Sequence, residues 1–548
     1  MCFGKDILMI SFVRPFWAEM EIPLDLVKQE YLKYLSDENE SSYNTDDAIE
    51  YLRCVIEKIQ NDLIGWEKNR NARNVIIDLY TILDKCFRFY IKEKKERTKL
   101  AKYNVNHDKI YEINRNMALN VITSINMWLD NTLIFQNVGL ESTPIADSPD
   151  VNDKLFVDLY IYGLVSRCLS LLSLNRNKKT MLLFRGIKIN INEYNAEPVE
   201  LLKYVPETFF SAQILGNQSV FEVTKSEYKN ADKSDFGTGF KKAYGIDFLL
   251  SLRLFKTIMK YGLKNGKVSV IAIDKARFIQ RINNYSKGKM DGEAFYNAFV
   301  LDYEKMEKNL NDSDVCIWKM GVNKFRHEIR PFICLKDNTV YTSFCALDQA
   351  TQLWLSFFTN GGMIYTNDED KLTKGMEKRN NELSNKLVRI IISMLEKHYG
   401  KGFLEIEVDY ERIFGKQETN YGDYDIIYYA ERINELFIIE SKFFSDSLHV
   451  SSYISDYEKC FEKNGYYDHC RKRCDLVLKH PQKIKEFIGV EGEIKVHFLF
   501  VSSKPLQIDF TDKDGIVSFP CVSVFDKYLE GKLLSEDGKR IVRPTKTI

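Results

Sequence analysis

Asp423, Asp425, Glu440 and Lys442 are the residues of this chain whose types and spacing could do chemistry together. Asp425 leads into a β-like run, Ile426 to Ala430, and Glu440 and Lys442 lie in a second, Leu436 to Phe444; the polar segment Glu431-Arg432-Ile433-Asn434 separates the runs. Both runs are β-branched, aromatic and apolar and too short for helices, so the spacing predicts a hairpin. A turn centred between Arg432 and Ile433 pairs Ala430 with Glu435, Asp425 with Glu440 and Asp423 with Lys442. Opposed Cβ atoms lie roughly 5 Å apart. The two-residue period keeps Glu440 and Lys442 on one side of the sheet and turns Ser441 to the other. Two carboxylates that close repel unless something positive sits between them. Mg2+ takes oxygen ligands and typically uses one or two protein carboxylates with phosphate oxygens and water. A lysine beside such an ion stabilises charge on a phosphoryl group or helps orient the attacking water, whose pKa the metal lowers. This is a set for phosphodiester hydrolysis.

At Asp425, Glu440 and Lys442 the chain resembles the PD-(D/E)XK nuclease superfamily, whose sites carry an acidic residue on one strand and (Asp/Glu)-x-Lys on the next. Tyr424, not proline, precedes Asp425. The same Glu-x-Lys spacing occurs at Glu93/Lys95, Glu227/Lys229 and Glu493/Lys495, but Glu440-Ser441-Lys442 interrupts an apolar strand, where unpaired charge is costly. The resemblance covers roughly the last third of the chain. It implies an α/β, restriction-endonuclease-like C-terminal domain, built as helix, β-meander, helix and strand, behind a mainly α-helical N-terminal region. It also implies a nuclease that cuts nucleic acid, DNA rather than RNA, with Mg2+ or Mn2+ held by Asp425 and Glu440 and with Lys442 as the third catalytic residue. Many relatives add a metal-contacting glutamate from the first helix; Glu382 is the candidate here, and Glu377 competes with it.

The surrounding pattern supplies the elements that must position these groups. Leu383, Leu387, Val388, Ile391, Met394 and Leu395 recur at helical spacing before Gly400, a helix stop. Leu404, Ile406, Val408 and Tyr410 then alternate with acidic residues, as a half-buried first strand does. Beyond the hairpin, Val450 to Phe461 and Arg471 to Phe487 read as helices and Ile494 to Val501 as a strand. Upstream, apolar faces mark helices over Thr45 to Trp66, Val75 to Ile91, Ile110 to Ile134 and Leu155 to Leu174, with Thr45 as N-cap of the first. Residues 1–180 therefore read as a helical bundle and 181–372 as a mixed, mostly helical recognition or regulatory region. Residues 373–548 form the nuclease-like domain, after a polar linker from Asn367 to Lys374.

Composition bounds the rest. The 548 residues, 45% hydrophobic, suffice for several cores, and Lys+Arg 78 against Asp+Glu 78 leaves no net charge. A nuclease so balanced depends on a local basic patch. Arg471, Lys472, Arg473 and Lys479 follow the catalytic strand and are the candidate phosphate contacts, which position a duplex without reading it. Tyr466 and Tyr467 are open to base stacking or to core packing. Cys460, His469, Cys470, Cys474 and His480 lack the spacing of a zinc knuckle. Scattered cysteines and the lack of a signal peptide fit a cytoplasmic protein, and no apolar run is long enough for a membrane span. His327-Glu328 reads as surface. A homo-oligomer contact or a partner protein would use the N-terminal region, and by analogy such a chain belongs to a microbial restriction or anti-phage system. Two plainer readings stay open: a surface ion pair between Asp423 and Lys442 worth under about 1 kcal/mol, and a nuclease-like fold that only binds nucleic acid or serves as a scaffold.

Overall fold

The computed structural model describes residues 16–35, 42–43, 45–68, 70–101, 108–134, 153–173, 180–185, 188–193, 225–264, 270–307, 325–361, 369–444, 456, 459–504, 510–512, 514–535 and 539–548. It is a mixed α/β protein, helical in its N-terminal part and with its largest sheet in the C-terminal part. Two compact units divide the chain: Met1–Leu202 with Asn230–Leu355 and Ile364–Gly375, and Lys203–Lys229 with Ser356–Met363 and Met376–Ile548. Among the described residues no helix is long and apolar enough to cross a membrane.

The first unit is built on the helices Thr45–Lys68, Ala72–Ala101, Asp108–Ile134 and Asp153–Ser173. Their apolar faces meet in one core that includes Leu52, Ile76, Tyr80, Val121, Trp128 and Tyr162. A four-stranded sheet, ordered Val270–Asp274, Thr339–Ser343, Phe332–Cys334 and Val300–Leu301, belongs to the same unit. Position 327 corrects the surface reading: His327 and Glu328 are both buried. The imidazole lies 2.9 Å from the Tyr80 hydroxyl and 2.8 Å from Asn126 Oδ1, and the backbone N–H of His327 donates to Asp130 Oδ1 at 2.8 Å. Two polar letters gave no sign of these distant helical partners.

Burial holds the His327 imidazole neutral and lowers its pKa from 6.5 to about 3. The unfolded chain takes up a proton there below pH 6.5 and the folded chain does not, so stability is full above that pH and drains away as pH falls toward 3. At pH 5 the loss from this residue is about 2 kcal/mol. Asp130, pushed well above the carboxylate range by burial, carries the opposite slope, so the imidazole is isolated only by difference. Urea unfolding of wild type and His327→Gln at pH 7.5 and 5 is expected to show the wild type losing about 2 kcal/mol more than the variant. Parallel losses would contradict a neutral imidazole.

Elements of the second unit are labelled from α1. Helix α1, Glu369–Tyr399, contributes its residues from Met376 onward, and Gly400 ends it at φ +87°. Residues 369–374, read above as linker, are helical, and Leu372 is fully buried. Then come β1 (Phe403–Asp409), α2 (Tyr410–Phe414), β2 (Asp423–Ala430), β3 (Glu435–Lys442), α3 (Tyr466–Lys479), α4 (Pro481–Ile488), β4 (Lys495–Ser502) and β5 (Val517–Ser518). The helix expected over Val450 to Phe461 lies largely outside the described residues. The strands are ordered β5-β4-β3-β2-β1, antiparallel from β1 to β3 and parallel from β3 to β5, with Lys546–Thr547 also paired to β4.

Each face of the sheet carries its own core. Leu387, Ile391 and Leu395 of α1 pack with Ile426, Phe437 and Ile439 on one face. Cys470, Cys474 and Val477 of α3 pack with Ile427, Leu436 and Ile438 on the other. Since the period is two, a slip of one residue would carry the apolar side chains of the slipped strand to the wrong face; each costs about 1.5–3 kcal/mol to unbury, and the register is thereby fixed.

Candidate functional site

The hairpin adopts the register expected from its turn: Ala430 pairs with Glu435, and the ladder runs to Ile426 with Ile439. There it stops, because Asp425 takes over with its side chain. The Ser441 N–H donates to Asp425 Oδ2 at 2.7 Å, which anchors the carboxylate across from Glu440 and Ser441. On its other edge β2 pairs with β1 at Ile406–Ile426 and Val408–Tyr424 but not at the intervening Glu407, whose φ is +52°. Phe403 and Val408, and likewise Tyr424 and Ile427, pack into the same core, so each strand changes its facing once at this level. The strand end is therefore twisted just where the carboxylates stand.

Glu440 and Lys442 share the parity of Leu436 and Ile438 and so belong to the α3 face, while Ser441 is buried on the other. Lys442 Nζ lies 2.8 Å from Glu440 Oε1 and 3.7 Å from Asp425 Oδ2. The three residues singled out in the sequence are thus brought together. Asp423 is not the partner of Lys442: it pairs with Asp409 on β1, and its side chain is exposed. The pairing that would have placed it opposite Lys442 ends at Ile426, because the Asp425 carboxylate accepts the amide that would continue the ladder.

Arg473 is the residue that sequence reasoning misplaced. Its guanidinium is buried, donates Nη2–H to Glu440 Oε2 and Nη1–H to the Tyr421 carbonyl at 2.8 Å, and lies over the Tyr424 ring. Gly422 makes room for it: its φ is +74°, and a Cβ there would stand 3.2 Å from Arg473 Nη1. Arg473 is thus a counter-ion inside the site and not an exposed phosphate contact. Tyr466, Cys470, Arg473 and Val477 fall on one helical stripe, and a charge on that largely apolar stripe was the signal to read. Arg471 is likewise engaged, within 3.3 Å of carboxylate oxygens of Asp475, Asp512 and Asp514. Lys472 and Lys479 alone of the four are exposed.

Glu382 is not brought to the triad. It sits on α1, the helix packed on the other face of the sheet, and pairs with Arg379 at 2.8 Å. Arg379 is itself fixed by the Phe358 carbonyl at 3.0 Å. Glu377, its competitor, is exposed on the same helix.

Burial, and next the charge of Glu440, push the Asp425 carboxyl up from 3.8 to about 6, against the pull of Lys442. Burial works against the Lys442 ammonium, but Glu440 and Asp425 outweigh it and its pKa is raised. Two carboxylates and two cations leave the cluster neutral overall. Among the described residues no group of three or more His, Cys, Asp or Glu side chains gathers as a ready metal centre. Asp425 and Glu440 nonetheless offer the hard oxygens, two carboxylates, that Mg2+ or Mn2+ uses together with water and phosphate. The like-charge strain on Asp425 is what such an ion relieves, so the donor set fits it. Glu440 is the constraint, since Lys442 and Arg473 hold one oxygen each.

Compared with known protein families, with curated proteins and with solved structures, the chain matches none of them.

Proposed function

We propose that the second unit is a restriction-endonuclease-like domain of the PD-(D/E)XK kind and that it hydrolyses phosphodiester bonds, of DNA in preference to RNA, with Mg2+ or Mn2+. The observation that carries this reading is the like-charge pair of Asp425 and Glu440 on adjacent strands with Lys442 reaching both. A hairpin with only a structural task has no reason to keep two opposed carboxylates, one of them raised to about 6. The order of helix, three-stranded meander, helix and parallel strand supports it as well.

In this reading Asp425 and Glu440 hold the ion. When bound, it polarises a phosphoryl oxygen and lowers the pKa of the attacking water. Ser441 N–H keeps Asp425 from turning away, and Arg473 fixes the Glu440 carboxylate from the helix side. Lys442 places its ammonium beside both carboxylates, where it stabilises charge growing on the phosphoryl oxygens or orients water. Lys472 and Lys479 supply backbone contacts. The first unit selects the target or a partner, and a cytoplasmic restriction or anti-phage role follows by analogy with such fusions.

One observation favours a second reading. Arg473 and Lys442 already neutralise Glu440, so the same cluster could serve a non-catalytic nucleic-acid clamp or scaffold. Plasmid, linear duplex, single strands and RNA incubated with Mg2+, Mn2+ or chelator separate the two. A metal-dependent product that disappears in Lys442→Ala, with binding retained, is the expected result. Binding without cleavage under every metal condition would leave the clamp.

A further inference from the structure

Tyr466 opens α3 on the stripe that also carries Cys470, Arg473 and Val477. The last three are buried against the sheet, and from there Arg473 reaches Glu440. At its start the stripe meets the end of β3, where Lys442 Nζ stands 5.3 Å from the centre of the Tyr466 ring. Phe444 meets the ring edge-on at 6.3 Å between centroids, and Tyr466 is still 40% exposed. Tyr467 behaves in the opposite way: half-buried, it packs on Phe461 and Phe519 and donates to Asp512 Oδ2 at 2.9 Å. Of the two readings left open for this tyrosine pair, core packing therefore describes Tyr467 and leaves Tyr466 to be explained.

An aromatic ring left in water on an otherwise buried stripe forgoes the stabilisation that cover would give it. A nucleobase is a suitable cover, because every base offers a π-face. The ammonium beside the ring suits a phosphate, and in a polynucleotide base and phosphate are neighbours. Bases within a duplex are already paired and stacked, so only an unpaired one can lie on the ring while its phosphate meets Lys442. We propose that Tyr466 is a stacking platform for an unpaired base next to the phosphate at Lys442. The substrate class of the site is then single-stranded DNA or an unpaired DNA end. This inference rests on the nuclease reading.

Anisotropy measured on the full chain in chelator, with a fluorescein-labelled single-stranded oligodeoxynucleotide and the blunt duplex of the same sequence, tests it. Tyr466→Ala is expected to weaken single-strand binding about ten-fold or more and to leave duplex binding within about two-fold, while Tyr466→Phe retains both. With Mn2+ added, Tyr466→Ala raises KM for the single strand and keeps kcat. Equal losses on both oligonucleotides, a Phe variant as impaired as the Ala variant, or a lower kcat on every substrate would overturn the proposal, since the ring would then merely hold Lys442 or the fold. Single-strand binding untouched by Tyr466→Ala overturns the stacking role alone. A wild type that binds neither oligonucleotide in chelator and cleaves neither with Mn2+ overturns the nuclease reading with it.

Discussion

Arg473→Met is expected to destabilise the second unit by about 3–5 kcal/mol in metal-free buffer, the range found when one partner of a buried ion pair is removed. Glu440 is 6% exposed, and Arg473 and Lys442 each hold one of its carboxylate oxygens, so the variant leaves a buried carboxylate short of one of its cations. Methionine keeps the apolar stem as far as the Nε position, so what is lost is chiefly the guanidinium with its charge and its hydrogen bonds. The Tyr421 carbonyl loses its donor in the same step. Glu440→Gln added to Arg473→Met is expected to recover at least half of the loss, about 2 kcal/mol, because the buried carboxylate that Arg473 neutralised is then gone. Metal adds a second axis. If Asp425 and Glu440 hold a divalent ion, Mg2+ replaces the missing guanidinium and stabilises Arg473→Met more than it stabilises the wild type. Urea titrations of the three proteins with Mg2+ and with chelator measure all of this. A single variant as stable as the wild type would remove Arg473 from the site, and equal Mg2+ effects would argue against a shared metal.

The contrast between Asp425 and Arg473 explains how much could be read from the chain. The register of the hairpin was legible because it depends on nearby residues: a four-residue polar turn, and apolar alternation that only one pairing buries properly. The approach of Asp425 to Glu440 and Lys442 extends that register one step past its last pair, Ile426 with Ile439. The end of the ladder was not legible, since it results from a side chain competing with the backbone for the Ser441 amide. Arg473 lies 33 positions from Glu440, and an arginine in a basic run looks solvated until the sheet beneath its helix is known. Residues 369–374 looked like a linker because their letters are polar. Burial of Leu372, which no local pattern announces, accompanies the helix there. In each case the local rule was overruled by a tertiary contact.

Asp425→Asn is expected to raise stability and abolish cleavage together, which makes it the sharpest separation of a functional carboxylate from a structural one. Asparagine keeps the shape and, through its carbonyl oxygen, can still accept from the Ser441 N–H. It removes a charge that the fold disfavours. With its carboxyl raised from 3.8 to about 6, folded Asp425 binds a proton more readily than the unfolded chain does between those values. Wild-type stability therefore falls as pH rises through that window, and above pH 6 the ionised group carries a penalty of about 3 kcal/mol. The variant, neutral throughout, escapes it: near pH 4 the two proteins should unfold alike, and at pH 7.5 Asp425→Asn should be the more stable by about 2–3 kcal/mol. Denaturation at the two pH values checks the sign. Metal-dependent cleavage in the same preparations should drop by about 10³-fold or more, because a neutral amide is a poor ligand for a hard divalent ion and one of only two carboxylates has gone. A variant less stable at pH 7.5 would mean that Lys442 needs Asp425 more than Glu440 repels it, and the carboxylate would then be part of an ordinary ion-pair network. A more stable variant that still cleaves would leave the strained pair without its assigned chemistry. Only stabilisation joined to loss of cleavage fits a carboxylate kept against the interest of the fold.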